Sequence, residues 1–138
     1  MAPFTPRPLT RRAVVAACVF ALASAVFPGA VLAHGKLARS NPAAGARLTT
    51  PPAALRLTFT EATELAVTRV QLLGAGGRRV ALAPVAAGGD AGRTVVAAVR
   101  APLAPGTYTV VWQMAGRDGH PVRGRFSFVV AAAAPPPD

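Results

Sequence analysis

Two histidines, His34 and His120, supply the only imidazole side chains in this sequence of 138 residues. His34 directly follows Val31-Leu32-Ala33, a small-residue pattern typical of the cleavage site of an export leader. Cleavage after Ala33 would give His34 a free α-amine beside its imidazole, so that one residue offers two nitrogen ligands to a metal ion at little cost in ordering entropy. Because the ordinary pKa of an α-amine is about 7.7–8.0, metal competes with a proton there, and we expect affinity to rise with pH.

The second histidine lies in the segment Asp118-Gly119-His120. If this segment is extended, Asp118 and His120 project to the same side, roughly 6.5–7 Å apart along the chain. Pro121 favours an extended conformation of His120. One amine, two imidazoles and one carboxylate form a donor set suited to tetragonal Cu(II), which also has the highest affinity in the divalent series. Asp-Gly is equally a common hairpin turn, after which a histidine is often simply exposed.

Common catalytic motifs are missing from the sequence. It contains no G-x-S-x-G, no H-E-x-x-H and no phosphate-binding P-loop. Glu61 and Glu64 stand three residues apart and form either a carboxylate pair or a solvated strand end. We therefore expect a binding protein and not an enzyme.

The elements that must position these residues are predicted to be strands. Apolar residues alternate with polar ones over 55–60, 69–72, 107–114 and 125–130, with shorter candidates at 79–82 and 93–99. Leu55, Leu57 and Phe59 should face the core, with Arg56, Thr58 and Thr60 in water. Tyr108, Val110, Trp112 and Met114 should share one buried face. Glycine-rich turns at 74–77 and 88–92 separate these strands. Six or seven short strands at this spacing predict an all-β sandwich or small Greek-key barrel.

Residues 1–33 have the pattern of a removable signal peptide. Arg7, Arg11 and Arg12 form a positive segment, and residues 13–27 are apolar and uncharged. This run is short for a membrane span, although an uncleaved anchor is the alternative. The arginine pair leaves both general and twin-arginine export open.

Cys18, the single cysteine, falls inside this leader. Only about five apolar residues precede it, against the ~7–15 of a usual leader core, so cleavage after Ala33 is favoured over lipoprotein processing at Cys18. The mature chain would then have no cysteine, which excludes disulfides and thiolate ligands.

The chain is strongly basic, with a formal net charge of +10. Removal of residues 1–33 takes away three arginines and no acid, leaving twelve Lys and Arg against five Asp and Glu, a formal charge of +7. Such a charge is typical of proteins that bind nucleic acid or anionic membranes. The arginines are dispersed, however, with Arg78-Arg79 the only adjacent pair after the leader, and no aromatic residues are interleaved. The pattern favours solvated strand faces and no nucleic-acid partner.

Five sequence blocks resemble the CopC family of periplasmic copper-binding proteins. They are HGKL at 34–37, SNPAAG at 40–45, LRLTFTE at 55–61, GTYTVVW at 106–112 and DGHPVRGRFSF at 118–128. The last block is the most specific, because the turn, the candidate ligands and the strand occur together in family order. The resemblance covers the whole chain after the leader.

This resemblance implies an immunoglobulin-like Greek-key β-sandwich or barrel of about seven strands over 34–130. Residues 131–138 are a proline-rich tail that is expected to be disordered. The resemblance implies one Cu(II) held by the amine and imidazole of His34 together with Asp118 and His120, with Glu61 hydrogen-bonding to a ligand. It also implies a monomer in the periplasm, serving copper homeostasis or resistance, with a CopD-type membrane transporter as partner. Some members bind Cu(I) through a methionine-rich loop. Here Met114 is the one methionine after the leader, and its strand parity places it in the core.

Two other functions remain open from the sequence. An N-terminal histidine with a second histidine also forms the copper brace of oxidative polysaccharide monooxygenases, which present aromatic side chains to glycans. An immunoglobulin-like interaction module without metal would need neither histidine.

Overall fold

The structure, a computed structural model, describes residues 36–134 as two β-sheets with almost no helix. Within these residues the helical turns are two short 3₁₀ segments, Leu65–Val67 and Ala75–Gly77. The predicted signal peptide, His34 and the last four residues lie outside the described part. The strands are β1 Leu37–Asn41, β2 Arg47–Leu48, β3 Ala54–Phe59, β4 Arg69–Leu73, β5 Arg79–Val80, β6 Ala86–Ala87, β7 Thr94–Ala98, β8 Gly106–Ala115 and β9 Pro121–Val130.

The strands form one sheet of order β1-β3-β7-β6 and another of order β2-β9-β8-β4-β5. All neighbours are antiparallel except β2, which pairs with β9 in parallel. This arrangement confirms the all-β sandwich. Nine strands replace the expected seven or so, since β2, β5 and β6 have two residues each.

The core lies between the two sheets and is built from the predicted alternation. Val110 and Met114 of β8 are fully buried, and Tyr108 and Trp112 nearly so. From the opposite sheet, Phe59 meets Trp112 edge to face, with ring centroids 5.1 Å apart. Such a contact adds about 0.5–1.5 kcal/mol to the burial of the rings. The predicted shared face of β8 is therefore confirmed.

The outer face of β3 departs from the prediction at one position. Leu55, Leu57 and Phe59 are buried as expected, but Thr58 is also buried, although its parity places it on the face expected to be in water. Its hydroxyl lies 2.8 Å from that of Thr94 on β7. This side-chain hydrogen bond satisfies both groups away from solvent, which the alternation of residue types cannot reveal.

The β8–β9 hairpin determines where the candidate site lies. Its two ten-residue strands stay in register from the Gly106–Val130 pair to the Ala115–Pro121 pair. The loop of residues 116–120 is consequently held at one end of the sandwich. No helix within residues 36–134 is long and apolar enough to cross a membrane.

Candidate metal centre

The loop that joins β8 to β9 forms a tight turn. The backbone N–H of Gly119 donates a 3.0 Å hydrogen bond to the carbonyl of Gly116, which closes the turn. Gly119 has φ of 75°, a left-handed conformation that glycine adopts without steric cost. Asp118 thus lies in a turn and not in extended chain, so the turn alternative describes this segment. The turn still brings Asp118 and His120 together.

Asp118 holds His120 through two contacts. The backbone N–H of His120 donates to Asp118 Oδ1 at 3.2 Å, and His120 Nδ1 lies 3.2 Å from Asp118 Oδ2. Both side chains are accessible, with exposed fractions of 55% for Asp118 and 70% for His120. A carboxylate at Nδ1 fixes the ring orientation and favours the tautomer whose Nε2 can act as an acceptor or a metal ligand.

Glu61 reaches the same turn from the opposite sheet. It follows β3, and the backbone N–H of Glu64 fastens this segment to the end of β8 by a 2.9 Å hydrogen bond to the carbonyl of Ala115. A Cβ placed on Gly116 would lie 2.6 Å from Glu61 Oε1 and 3.6 Å from Asp118 Oδ1. The two carboxylates therefore converge on Gly116, whose missing side chain leaves the space that Glu61 occupies.

Lys36, the first residue that the structure describes, lies beside Glu61 and the β8–β9 turn. Lys36 N–H donates to the Thr60 hydroxyl at 2.9 Å, and Thr60 N–H donates to the Lys36 carbonyl at 2.8 Å. Thr60 is the immediate neighbour of Glu61, so the chain starts β1 at the corner that carries the carboxylates. His34 itself lies outside the described residues.

This corner carries charges of both signs. The carboxylates of Glu61 and Asp118 converge here and the backbone of Glu64 is attached here, while Lys36 and Arg117 bring positive charge to the same segments. Carboxylate oxygens and an imidazole nitrogen are ordinary ligands of divalent cations. Among residues 36–134, no three His, Cys, Asp or Glu side chains form a group that could hold a metal by themselves.

Met114, near the end of β8, is fully buried on the inner face of this strand. The parity prediction for Met114 is confirmed. Its side chain belongs to the same core cluster as Trp112 and Val110, so the thioether is not accessible to a metal ion at the surface.

The sequence pointed to Asp118, His120 and Glu61 but not to Gly116. The importance of Gly116 depends on its packing against a residue 55 positions earlier in the chain, which no local pattern reports. The one sequence signal was a glycine at the end of a long strand pattern, and such a glycine is common at any turn.

Fold and site together define a small all-β sandwich that carries a carboxylate and histidine corner at one end. Residues 37–131 match the family profile described as the CopC domain. The chain belongs to the CopC family.

Individual relatives match over most of their length. The chain is similar to protein YobA of Escherichia coli K12, with 31% identity over 121 residues, which covers 88% of this chain and 97% of that protein. It is 32% identical over 123 residues to copper resistance protein C of Xanthomonas campestris pv. juglandis, covering 84% and 94% of the two chains. Among solved structures it resembles PcoC, a methionine-rich copper resistance protein from Escherichia coli, with a TM-score of 0.65, 32% identity, and 71% and 99% of the two chains covered.

Proposed function

We propose that this protein is an exported, non-catalytic copper-binding protein that holds one Cu(II) for copper handling in the periplasm, as a carrier or by sequestration. The proposed ligands are the α-amine and imidazole of His34, the carboxylate of Asp118 and the imidazole of His120. Glu61 would hydrogen-bond to a ligand and orient it.

One observation carries the proposal, namely the convergence of three chain segments at one corner. The turn holds Asp118 against His120, Glu61 packs on the same turn, and Lys36 is hydrogen-bonded to the neighbour of Glu61. Two residues of extended chain span at most about 7 Å, so His34 cannot be far from Lys36. The proposal therefore assigns His34 to the same site as His120.

The donor types favour Cu(II) over Cu(I). Amine, imidazole and carboxylate suit tetragonal Cu(II), whereas Cu(I) prefers soft sulfur ligands. The relative PcoC is described as methionine-rich. In this chain, by contrast, the one methionine after the predicted leader is buried in the core.

The burial of the aromatic residues argues against a polysaccharide monooxygenase. Tyr108 and Trp112 retain exposed fractions of only 8% and 6%, so neither offers a ring to a glycan. Family membership supports the remaining parts of the proposal, which are a periplasmic monomer and delivery to, or receipt from, a CopD-type copper transporter in the membrane.

Calorimetric titration with Cu(II) tests the ligand set. The protein is produced with its own leader, and mass spectrometry establishes that its first residue is His34. We expect one Cu(II) per chain and a nitrogen-rich tetragonal electron paramagnetic resonance spectrum. Adding one alanine before His34, or changing His120 to Ala, should weaken binding by more than the ~10–100-fold typical of losing an outer hydrogen-bond partner.

Asp90→Asn is the matched control for Asp118→Asn. Both remove one exposed carboxylate, but Asp90 pairs with Arg39 and Arg93 in the other sheet. Only Asp118→Asn should lower the Cu(II) affinity. Equal affinity in the variant with the extra alanine would contradict the amine ligand. If neither His34→Ala nor His120→Ala changed the Cu(II) titration, a metal-free interaction module would be favoured.

A further inference from the structure

The outer face of the five-stranded sheet collects arginines that are far apart in the sequence. Side chains directly opposite each other in neighbouring strands share a face. The register places Arg123 of β9 and Arg69 of β4 on either side of Gln113 of β8, and Arg123 Nε donates a 2.7 Å hydrogen bond to Gln113 Oε1. The same register gives this surface, here called the arginine face, five members: Arg47, Arg69, Arg79, Arg123 and Arg125.

No acidic residue lies on the strands of the arginine face. The acids within residues 36–134 are Glu61, Glu64, Asp90 and Asp118, and all four lie in loops. Among the ion pairs of this part of the chain, the arginines that take part are Arg39 and Arg93, both bound to Asp90 beside the other sheet. All five members of the face are exposed. Their positive charge is therefore concentrated on one surface and not cancelled there.

The chemistry and shape of this face limit what it can bind. Five strands at about 4.8 Å spacing and strands of up to ten residues give a surface of roughly 20 by 30 Å. Between the arginines it presents amide and hydroxyl groups, including a 3.0 Å hydrogen-bonded pair of Thr109 and Ser127, together with the half-buried side chains of Leu73, Val111 and Val129. The aromatic residues of β8 and β9 all lie on the opposite, inner face. Single-stranded nucleic acid is bound by stacking on aromatic rings, and this face offers none. Protein interfaces depend on large anchors, chiefly aromatic, and the apolar side chains of this face are already half-buried among their neighbours.

We propose that the arginine face binds the surface of an anionic phospholipid bilayer. Guanidinium groups bind phosphate oxygens through paired hydrogen bonds, and a broad surface of dispersed charges matches a plane of headgroups better than it matches a compact ligand. The contact is electrostatic and involves no insertion. The protein would thus be held at the membrane by this face. The candidate metal centre lies in the loop between β8 and β9, at the edge of the sandwich next to Arg123.

Sedimentation with vesicles tests this proposal in copper-free protein, so that the result is independent of the proposed metal site. Vesicles of equal parts phosphatidylglycerol and phosphatidylcholine should bind the protein at low salt, and pure phosphatidylcholine vesicles should not. Binding should be lost at about 0.5 M salt, where charges are screened within a few ångströms. Arg123→Gln with Arg125→Gln should weaken binding about 30-fold, the equivalent of ~1 kcal/mol for each arginine at an anionic surface.

Matched pairs of substitutions separate the face from the net charge. Arg47→Gln with Arg79→Gln, on the two edge strands, should reproduce the loss, whereas Arg39→Gln with Arg100→Gln removes the same charge outside the face and should change binding less than about threefold. Circular dichroism establishes that each variant is folded. Absence of binding to phosphatidylglycerol vesicles, equal losses in all pairs, or displacement by duplex DNA at a lower phosphate concentration than the vesicles supply would each overturn the proposal.

Discussion

Gly116→Ala tests whether the proposed copper site depends on the space that this glycine leaves. The new Cβ would lie 2.6 Å from Glu61 Oε1, and ordinary contact begins at 3.4 Å. The Glu61 carboxylate would therefore have to move by roughly 0.8 Å or change rotamer, since a closely packed neighbourhood transmits such an overlap. Loss of an outer hydrogen-bond partner typically lowers metal affinity 10–100-fold. We expect Gly116→Ala to lower Cu(II) affinity by about that factor.

A double-mutant cycle assigns the effect to Glu61. Cu(II) affinity is measured by calorimetry for Gly116→Ala, Glu61→Ala and the double variant. If the methyl group acts by displacing Glu61, it should cost nothing further once Glu61 is truncated, and the two changes should be strongly non-additive.

Gly76→Ala is the control for introducing alanine into a turn. Gly76 has φ of 67° in the hairpin between β4 and β5, with no atom within 4 Å of the added Cβ. Its substitution should cost about 1 kcal/mol of folding stability and leave copper affinity unchanged. The reasoning is refuted if Gly116→Ala binds copper like the wild type, or if it loses the same affinity with and without the Glu61 side chain.

Three further predictions concern the sandwich itself. A methyl group on Gly124 would overlap the Trp112 indole ring, so Gly124→Ala should lower the free energy of unfolding by about 1–3 kcal/mol in urea titration, and an unchanged midpoint would contradict the packing. Thr58→Val should cost about 1–3 kcal/mol by leaving the Thr94 hydroxyl unsatisfied, whereas replacing both threonines with valine should be nearly neutral; equal costs would argue against their hydrogen bond. Met114→Leu should cost less than ~1.5 kcal/mol and leave the affinities for Cu(I) and Cu(II) unchanged, and a loss of copper binding would place the thioether in the site.

The parts of the fold that the sequence predicted are those with a long two-residue alternation. β3, β4, β8 and β9 show it, because one face of each packs on the core. β7 has the sequence TVVAA, which does not alternate, and was predicted only as a short run of strand-forming residues after a turn. β1, with the sequence LARSN, lies at a sheet edge and carries one large apolar residue, so no alternation marks it. β2 and β6 are too short for any period to be visible.

The sequence singled out candidate ligands but did not reveal how they are arranged. His34 and Asp118-Gly119-His120 stood out from the residues themselves, and the resemblance to the CopC family added a hydrogen-bonding role for Glu61. The hydrogen bond between Asp118 and His120 depends on the local geometry of the turn, and the packing of Glu61 against Gly116 depends on a contact between segments of the two sheets. The arginine face depends on strand pairing within one sheet, since Arg47 and Arg125 share a surface only when β2 pairs with β9.

The candidate metal centre contains residues from both sheets. Lys36 and Glu61 adjoin β1 and β3, whereas Asp118 and His120 adjoin β8 and β9. An ion held there would tie the sheets together, in a domain that has no cysteine to form a disulfide. Ligand binding to the native state alone raises its stability with ligand concentration. Empty and loaded molecules would then differ in how often they open to a protease, so that the lifetime of the protein in the cell would itself depend on the supply of copper.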